Sequence, residues 1–179
     1  MTSIIENYGV KLIPLCEDSL EMVRIWRNDL KISQYMEYRD YITPEMQKKW
    51  FSNLNKDTNF YYIINYNNED IGLINIKDYD SIKKDGEAGI FIYEDKYLNT
   101  DIAYRAHLAL FDCFFDKINL NKIKSHILDS NARAIRFAKF LGSKKIDDEN
   151  YILAKENYFN NKNRLHFVKK WNCLTNKSK

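Results

Sequence analysis

Hydrophobic and polar positions in the first third of the chain predict one strand followed by two helices. A short, mostly apolar run over residues 10–15 predicts the strand. A second helix is predicted to begin with Thr43 as its cap and Pro44 in its first turn, where the missing N–H does no harm. The first helix is predicted from apolar residues at roughly helical spacing: Leu20, Met22, Val23, Ile25 and Trp26. The second is expected to turn three side chains toward the core: Met46, Trp50 and Leu54.

The middle of the chain predicts three strands, over residues 59–66, 71–76 and 87–93, with a turn at 67–70 between the first two. The third strand has two distinct faces, because its side chains alternate. One face carries Ala88, Ile90 and Ile92, and the other carries Glu87, Gly89, Phe91 and Tyr93.

The remainder of the chain predicts two helices and three strands. One helix covers residues 100–115, with an apolar face formed by Ile102, Ala106, Ala109, Leu110 and Cys113. The other runs over 131–141, with Ser130 or Asn131 as its cap and Gly142 at its end. Strands are predicted at 122–128, 151–155 and 164–170. The order of elements indicates an α/β or α+β fold around a mixed sheet.

Composition places the chain among ordinary globular proteins. Its 179 residues suit one domain over 1–179, and 45% hydrophobic with 30% charged residues is unlike a disordered chain. A net charge of +3, with basic residues scattered apart from the tail at 176–179, does not favour a nucleic-acid partner. The sequence shows no signal peptide and no membrane span, so a cytoplasmic location without a membrane partner is expected.

The three cysteines, Cys16, Cys113 and Cys173, are odd in number and far apart, without a Cys-x-x-Cys pair. This pattern favours reduced thiols and predicts neither a disulfide framework nor a bound metal.

Three segments in a fixed order resemble the GNAT acetyltransferase superfamily. Residues 86–93, which lead through a loop into the helix at Thr100, and residues 131–142 resemble its two acetyl-CoA motifs. Residues 26–51, with Trp26-Arg27-Asn28-Asp29 at their start, are similar to the branch of ribosomal-protein N-terminal and nucleotide-amino-sugar acetyltransferases. The resemblance implies a mixed, mostly antiparallel sheet with splayed central strands, flanked by helices. It also implies acetyl-CoA as co-substrate, with no metal.

The resemblance places the co-substrate between the strand at 87–93 and the helix at Thr100. A backbone N–H near Phe91 or Ile92 is expected to meet the thioester oxygen, and the helix start to hold the diphosphate. Family members usually carry Arg or Gln and a central Gly where this chain has Leu98 and Asp101, and a carboxylate there repels a diphosphate. The expected co-substrate contacts are Ile90, Phe91, Ile92, Leu98, Asn99, Thr100, Asp101, Ile102, Ala103, Asn131, Ala134 and Phe137.

For proton transfer, Glu87 is the first candidate base and His126 the second, since an amine must lose a proton when it is acylated. Many relatives use a tyrosine as the acid for the thiolate, but the matching position is Ala138. Water, Tyr93 or Tyr97 is therefore expected to protonate the leaving group.

For the acceptor, the resemblance points to Trp26, Arg27, Asn28 and Tyr35, and the Arg27 fork suits a carboxylate or a phosphate. The sequence thus predicts an N-acetyltransferase that modifies a small amine, with a nucleotide-linked amino sugar preferred, as a monomer or homodimer. A protein N-terminus as acceptor and a non-catalytic binding domain stay open as alternatives.

Overall fold

The computed structural model describes residues 3–175, in which eight strands form one sheet. The strands are β1 (Ile5–Asn7), β2 (Val10–Pro14), β3 (Phe60–Tyr66), β4 (Glu69–Asp80), β5 (Asp85–Ile92), β6 (Lys122–His126), β7 (Lys144–Lys145) and β8 (Asn150–Ala154). Their spatial order is β1-β2-β3-β4-β5-β6-β8-β7, and every neighbouring pair is antiparallel except the parallel pair β5–β6. The predicted mixed, mostly antiparallel sheet is therefore confirmed.

Seven α-helices accompany the sheet within the described residues. They are α1 (Leu20–Asn28), α2 (Leu30–Ser33), α3 (Pro44–Ser52), α4 (Ile102–Asp112), α5 (Ala132–Leu141), α6 (Lys155–Phe159) and α7 (Lys162–Thr175). A π-helical turn at Cys113–Lys117 follows α4. None of the helices in residues 3–175 has the length and apolar character needed to cross a bilayer.

Each face of the sheet has its own apolar core. The larger core packs α4 against the strand side chains that point to one face of the sheet, such as Ile74, Ile76 and Ile92. The smaller core packs α1 against the opposite face of the sheet, through Trp26 and Leu73. Because a strand alternates its side chains, Glu87, Phe91 and Tyr93 share the α1 face of β5, as the sequence predicts.

The predicted helix ends are confirmed where they depend on local chemistry. Thr43 Oγ1 accepts a hydrogen bond from the Met46 N–H at 3.2 Å. Asn131 Oδ1 accepts one from the Ala134 N–H at 3.0 Å, and Gly142 ends α5 with φ +99°. Such contacts lie within one helical turn, so the sequence alone specifies them.

Two predictions about packing are wrong. The inward face of α3 carries Gln47 and Phe51, whereas Met46 and Trp50 are 41% and 36% exposed. The predicted strand at 164–170 is instead part of α7, which packs Phe167 and Trp171 against Tyr8. The tail at 176–179 lies outside the described residues.

A buried histidine on α4 makes the stability of the fold depend on pH. Burial lowers the pKa of His107 from 6.5 to about 4, although its Nδ1 lies 2.8 Å from the Ala103 carbonyl, which opposes the shift. Below pH 6.5 the unfolded chain takes up a proton that the folded chain refuses until about pH 4. Stability that is complete above pH 6.5 should therefore fall by about 3 kcal/mol as the pH drops to 4.

Urea unfolding of the natural protein and of His107→Gln between pH 7 and 4 checks this prediction. The natural protein should lose more stability than His107→Gln over this range, since the carboxylates titrate in both. His166→Gln, at an exposed histidine on α7, is the matched control and should keep the natural slope. Equal slopes for the natural protein and His107→Gln would contradict the prediction.

Candidate active site

The parallel strands β5 and β6 separate part-way along their length and leave a gap. They pair at Asp85–Lys122, Gly86–Ile123 and Glu87–Lys124, and pairing stops there although both strands continue. The open edge of β5 from Ala88 to Ile92 consequently has backbone groups that no neighbouring strand uses. A gap of this kind accepts an extended chain, which can pair with the edge as a further strand would.

The direction of the backbone amides selects the donors that face this gap. The Tyr93 N–H donates to the Ile71 carbonyl at 2.8 Å, toward β4. Because amide directions alternate along a strand, the N–H of Phe91 also faces β4, whereas those of Ile90 and Ile92 face the gap. Of the two candidate oxyanion donors from the sequence, Ile92 therefore has the suitable orientation.

Glu87 lies where β5 and β6 begin to separate, and it already has a partner. Its Oε1 is 2.9 Å from Lys77 Nζ on β4, and both side chains are about one-third exposed. Burial opposes the charge of Lys77, but the hydrogen bond that Lys77 donates to Glu87 and the charges of Glu87 and Glu37 raise the pKa of Lys77 overall. Lys77 therefore holds the Glu87 carboxylate in place at the mouth of the gap.

His126 lies on the same face, two residues beyond Lys124 and so past the point of separation. Its Nε2 is 3.2 Å from a Glu37 carboxylate oxygen and 3.3 Å from one of Glu149, and its Nδ1 is 3.3 Å from Asn150 Oδ1. Both ring nitrogens thus have protein partners. The structure brings Glu87 and His126 to one face of the sheet. Glu87 contacts the amine of Lys77, whereas His126 contacts the carboxylates of Glu37 and Glu149.

Tyr93 and Trp26 form a stacked pair beside the gap. Their ring centroids are 5.4 Å apart, and Lys31 Nζ lies 3.9 Å from the Tyr93 ring. The Tyr93 hydroxyl donates to Asp29 Oδ2 at 3.3 Å. Trp26 itself is only 5% exposed and belongs to the smaller core, so its ring shapes the site from within instead of lining it.

The other predicted acceptor residues have different surroundings. Asn28 fixes the loop after α2: its amide donates to the Ile42 carbonyl at 2.9 Å and accepts from the Ile42 N–H at 2.8 Å. Tyr35 is 44% exposed and is available to a ligand. Burial lowers the pKa of Arg27, and its Nε is buried without a hydrogen-bond partner.

The start of α4 meets the requirements of a diphosphate site. Thr100 Oγ1 accepts from the Ile102 N–H at 3.3 Å, and the Arg105 N–H donates to the Asp101 carbonyl at 2.9 Å. Within residues 3–175 the amides of Asp101, Ala103 and Tyr104 have no acceptor. Unsatisfied amides at a helix N-terminus, together with the positive end of the helix dipole, bind phosphate groups.

The carboxylate of Asp101, which departs from the family pattern, is neutralised by its own helix. Arg105 Nη2 lies 2.9 Å from Asp101 Oδ2, one turn further along α4. The guanidinium also lies over the Trp171 ring of α7, at 5.0 Å from the ring centroid. Arg105 can therefore offset the repulsion that Asp101 alone would exert on a diphosphate.

An open groove of about 690 Å³ continues from this helix start. Its walls come from α4, α5 and α7, and include Asp101, Arg105, Phe137, Phe140 and Lys170. The mixture of aromatic and cationic side chains suits the nucleotide end of CoA.

The remaining predicted CoA contacts divide between the loop and the core. Asn99, at φ +66°, and Thr100 lie in the exposed loop. Leu98, Ile90, Ala103 and Phe137 pack against the larger core, to which the buried Ile102 belongs. Asn131 and Ala134 are occupied with each other at the cap of α5.

Sequence reasoning missed Lys77, Arg105 and Tyr61, which the fold brings to the site. Lys77 and Tyr61 belong to the α1 face because of strand register, which the sequence does not give. A signal for Arg105 was present, since an aspartate followed four residues later by an arginine forms an ion pair on a helix. Among residues 3–175 no group of three His, Cys, Asp or Glu side chains is placed to hold a metal.

Comparison with known proteins identifies one family. The family model described as an acetyltransferase (GNAT) domain matches residues 10–144, which leaves β8, α6 and α7 outside it. No curated protein sequence matches the chain.

Several solved structures share the fold at low sequence identity. A spermidine N-acetyltransferase from Vibrio cholerae, solved with CoA and spermine, is 17% identical, with a TM-score of 0.74 over 86% of this chain and 100% of that one. A putative acetyltransferase from T. thermophilus is 17% identical, with a TM-score of 0.78 over 94% of this chain and 97% of that one. A domain from Methanocaldococcus jannaschii is 21% identical, with a TM-score of 0.72 over 81% of this chain and 97% of that one.

Proposed function

Since the chain belongs to the GNAT acetyltransferase family, we propose that it moves an acetyl group from acetyl-CoA to the primary amine of a small molecule by direct attack. The gap between β5 and β6 carries this proposal, because it joins an open strand edge to Glu87 on the α1 face. The unsatisfied amides at the start of α4 support it independently. Acetyl-CoA would supply the activated thioester, and the chain's own residues would orient it and transfer protons.

Three groups divide the chemistry in this proposal. The Ile92 N–H, which faces the gap, stabilises negative charge that develops on the thioester oxygen. Glu87 accepts the proton of the attacking amine, directly or through water, and Lys77 keeps its carboxylate oriented at 2.9 Å. For the departing thiolate, water or Tyr93 is the acid. Both tyrosine hydroxyls donate to a carboxylate, but the bond from Tyr97 to Glu69 is the shorter, 2.8 Å against 3.3 Å from Tyr93 to Asp29, and it raises the pKa of Tyr97.

A nucleotide-linked amino sugar is the acceptor that we propose first. The resemblance of residues 26–51 supports it, as does the exposure of Tyr35, since an aromatic ring can stack on a base or a sugar. A protein N-terminus is the alternative acceptor. A cytoplasmic location and a monomeric or homodimeric state stay predictions.

A non-catalytic binding domain is the competing function. It requires that Asp101 and Leu98 have abolished the CoA site. The Asp101–Arg105 ion pair and the open groove beside it favour a working site instead.

Calorimetric titration with acetyl-CoA and desulfo-CoA tests the proposal. The natural protein should bind both, and Arg105→Gln should bind about tenfold more weakly because Asp101 then faces the diphosphate unpaired. Asp101→Gly combined with Arg105→Gln should recover part of the loss. Absence of binding by the natural protein, restored by Asp101→Gly alone, would indicate the non-catalytic function.

A further inference from the structure

Arg27 differs from the other cations near the candidate site because it has no ionic partner. It is the penultimate residue of α1, and within residues 3–175 its side chain forms no ion pair and no hydrogen bond. Its Nε is fully enclosed, and burial lowers its pKa. A partly buried guanidinium without an acceptor is costly, so a native protein that keeps one has a reason to keep it.

The neighbouring cations are already paired with carboxylates. Lys77 pairs with Glu87 at 2.9 Å, and Lys124 pairs with the buried Asp85 at 3.0 Å. On α1 itself, Arg24 binds Glu21 through two hydrogen bonds of 2.8 and 2.7 Å.

The two glutamates that remain on this side, Glu37 and Glu149, lie against His126. Within residues 3–175 none of these carboxylates forms an ion pair with Arg27.

Tyr61 of β3 connects Arg27 to the candidate base. Its hydroxyl lies within electrostatic range of the cations Lys77 and Arg27 and of the carboxylates Asp78 and Glu87, and burial is the main reason that its pKa is raised. Tyr61 lies on β3, and β4 lies between β3 and β5. Across the sheet, Tyr61 is therefore two strand spacings, about 10 Å, from the strand of Glu87. Trp50 meets the Tyr61 ring edge-on at 5.1 Å and is 36% exposed, which offers an apolar surface beside the cation.

We propose that the acceptor amine carries an anionic group, a phosphate or a carboxylate, that Arg27 binds while the amine lies at Glu87. This inference deepens the proposed function and rests on it for the location of the acceptor. The placement of Arg27 on α1 and Glu87 on β5, both within electrostatic range of Tyr61, suits a phosphorylated amino sugar, whose charges are many bonds apart. It does not suit an α-amino acid, whose amine and carboxylate are two bonds apart. A polyamine, which carries only positive charge, is disfavoured by the unpaired cation.

Binding without turnover gives the direct test. With desulfo-CoA present, glucosamine 6-phosphate, glucosamine, 6-aminohexanoate and spermidine are titrated into the natural protein by calorimetry. We expect glucosamine 6-phosphate to bind about ten- to a hundredfold more tightly than glucosamine, because a hydrogen-bonded charge pair forms. The 6-aminohexanoate arm shows whether a carboxylate replaces the phosphate. Equal affinity for glucosamine and its phosphate, or a preference for spermidine, would overturn the inference.

Variants of Arg27 separate a binding role from a structural one. Arg27→Gln should abolish the preference for the phosphate, and Arg27→Lys should keep part of it. Thermal unfolding of Arg27→Gln should occur at the natural temperature or above, because no protein partner is lost. Arg39→Gln, at an exposed arginine bound only to the Met36 carbonyl, is the matched control and should change nothing. An unchanged preference in Arg27→Gln, or a lowered unfolding temperature, would contradict the assignment.

The outcomes for the two proposals remain distinct. Acetylation of glucosamine and spermidine at equal rates would support the proposed function and overturn the role of Arg27. Tight binding of glucosamine 6-phosphate without acetyl transfer would support the role of Arg27 and overturn the proposed function.

Discussion

Glu87→Gln should lower kcat and kcat/KM together by about a hundredfold or more, with the affinity for acetyl-CoA unchanged. Glutamine keeps the size of the side chain at the mouth of the gap but cannot accept a proton from the amine. The loss belongs to the chemical step, so single-turnover measurements should show the same decrease as steady-state rates. Calorimetric titration with desulfo-CoA checks that the co-substrate site is intact.

Two control variants make the assignment of the base specific. His126→Gln removes the second candidate on the same face, and Glu156→Gln changes an exposed glutamate on α6. We expect Glu156→Gln to keep the natural rate and His126→Gln to lose much less than Glu87→Gln. If His126→Gln shows the larger loss, the base is His126 and Glu87 serves only as the partner of Lys77.

Asp112→Ala should destabilise the protein by about 3 kcal/mol or more. The Asp112 carboxylate accepts from the Tyr8 hydroxyl at 2.6 Å, the Tyr158 hydroxyl at 2.6 Å and Arg164 Nη2 at 2.8 Å. These contacts tie α4 to the turn after β1, to α6 and to α7. Removal of the carboxylate leaves the mostly buried Arg164 guanidinium uncompensated, which costs more than the contacts themselves contribute.

Urea unfolding followed by circular dichroism measures this effect at pH 7. Asp116→Ala, at an exposed aspartate in the π-helical turn after α4, is the matched control and should stay within about 0.5 kcal/mol of the natural protein. Asp112→Ala combined with Arg164→Met should be more stable than Asp112→Ala, since the orphaned charge is then absent. Equal stability of Asp112→Ala and the natural protein would show that solvent reaches Arg164 and satisfies it.

Local sequence determined a large part of this fold. The caps at Thr43 and Asn131 and the end of α5 at Gly142 each depend on atoms within one helical turn. Alternation in β5 correctly separated the face of Glu87 from the face of Ile92. The ordered motifs implied the gap between two central strands, and the register of β5 against β6 shows it.

The sequence failed where a segment was short and amphipathic. Residues 164–170 alternate well enough to predict a strand, but α7 forms there because its turns place Arg164, Phe167 and Trp171 against one neighbouring surface. A single apolar pattern does not distinguish the two periods when that surface is unknown. The inward face of α3 was mistaken by one residue for a different reason: the apolar Met46 and Trp50 were expected to face the core, whereas Gln47 and Phe51 do.

The sequence by itself determined most of the central strands and helices, the caps at Thr43 and Asn131, the resemblance to the family and the strand that carries Glu87. Only the tertiary structure decided which charges are paired. Strand register joins Lys77 to Glu87, residues far apart in the chain hold Asp112, and the packing of α1 on the sheet leaves Arg27 without a partner among the described residues. Electrostatic interactions act over a few ångströms in space, whereas a sequence lists neighbours along the chain, so the charge of the site emerges only when distant segments meet.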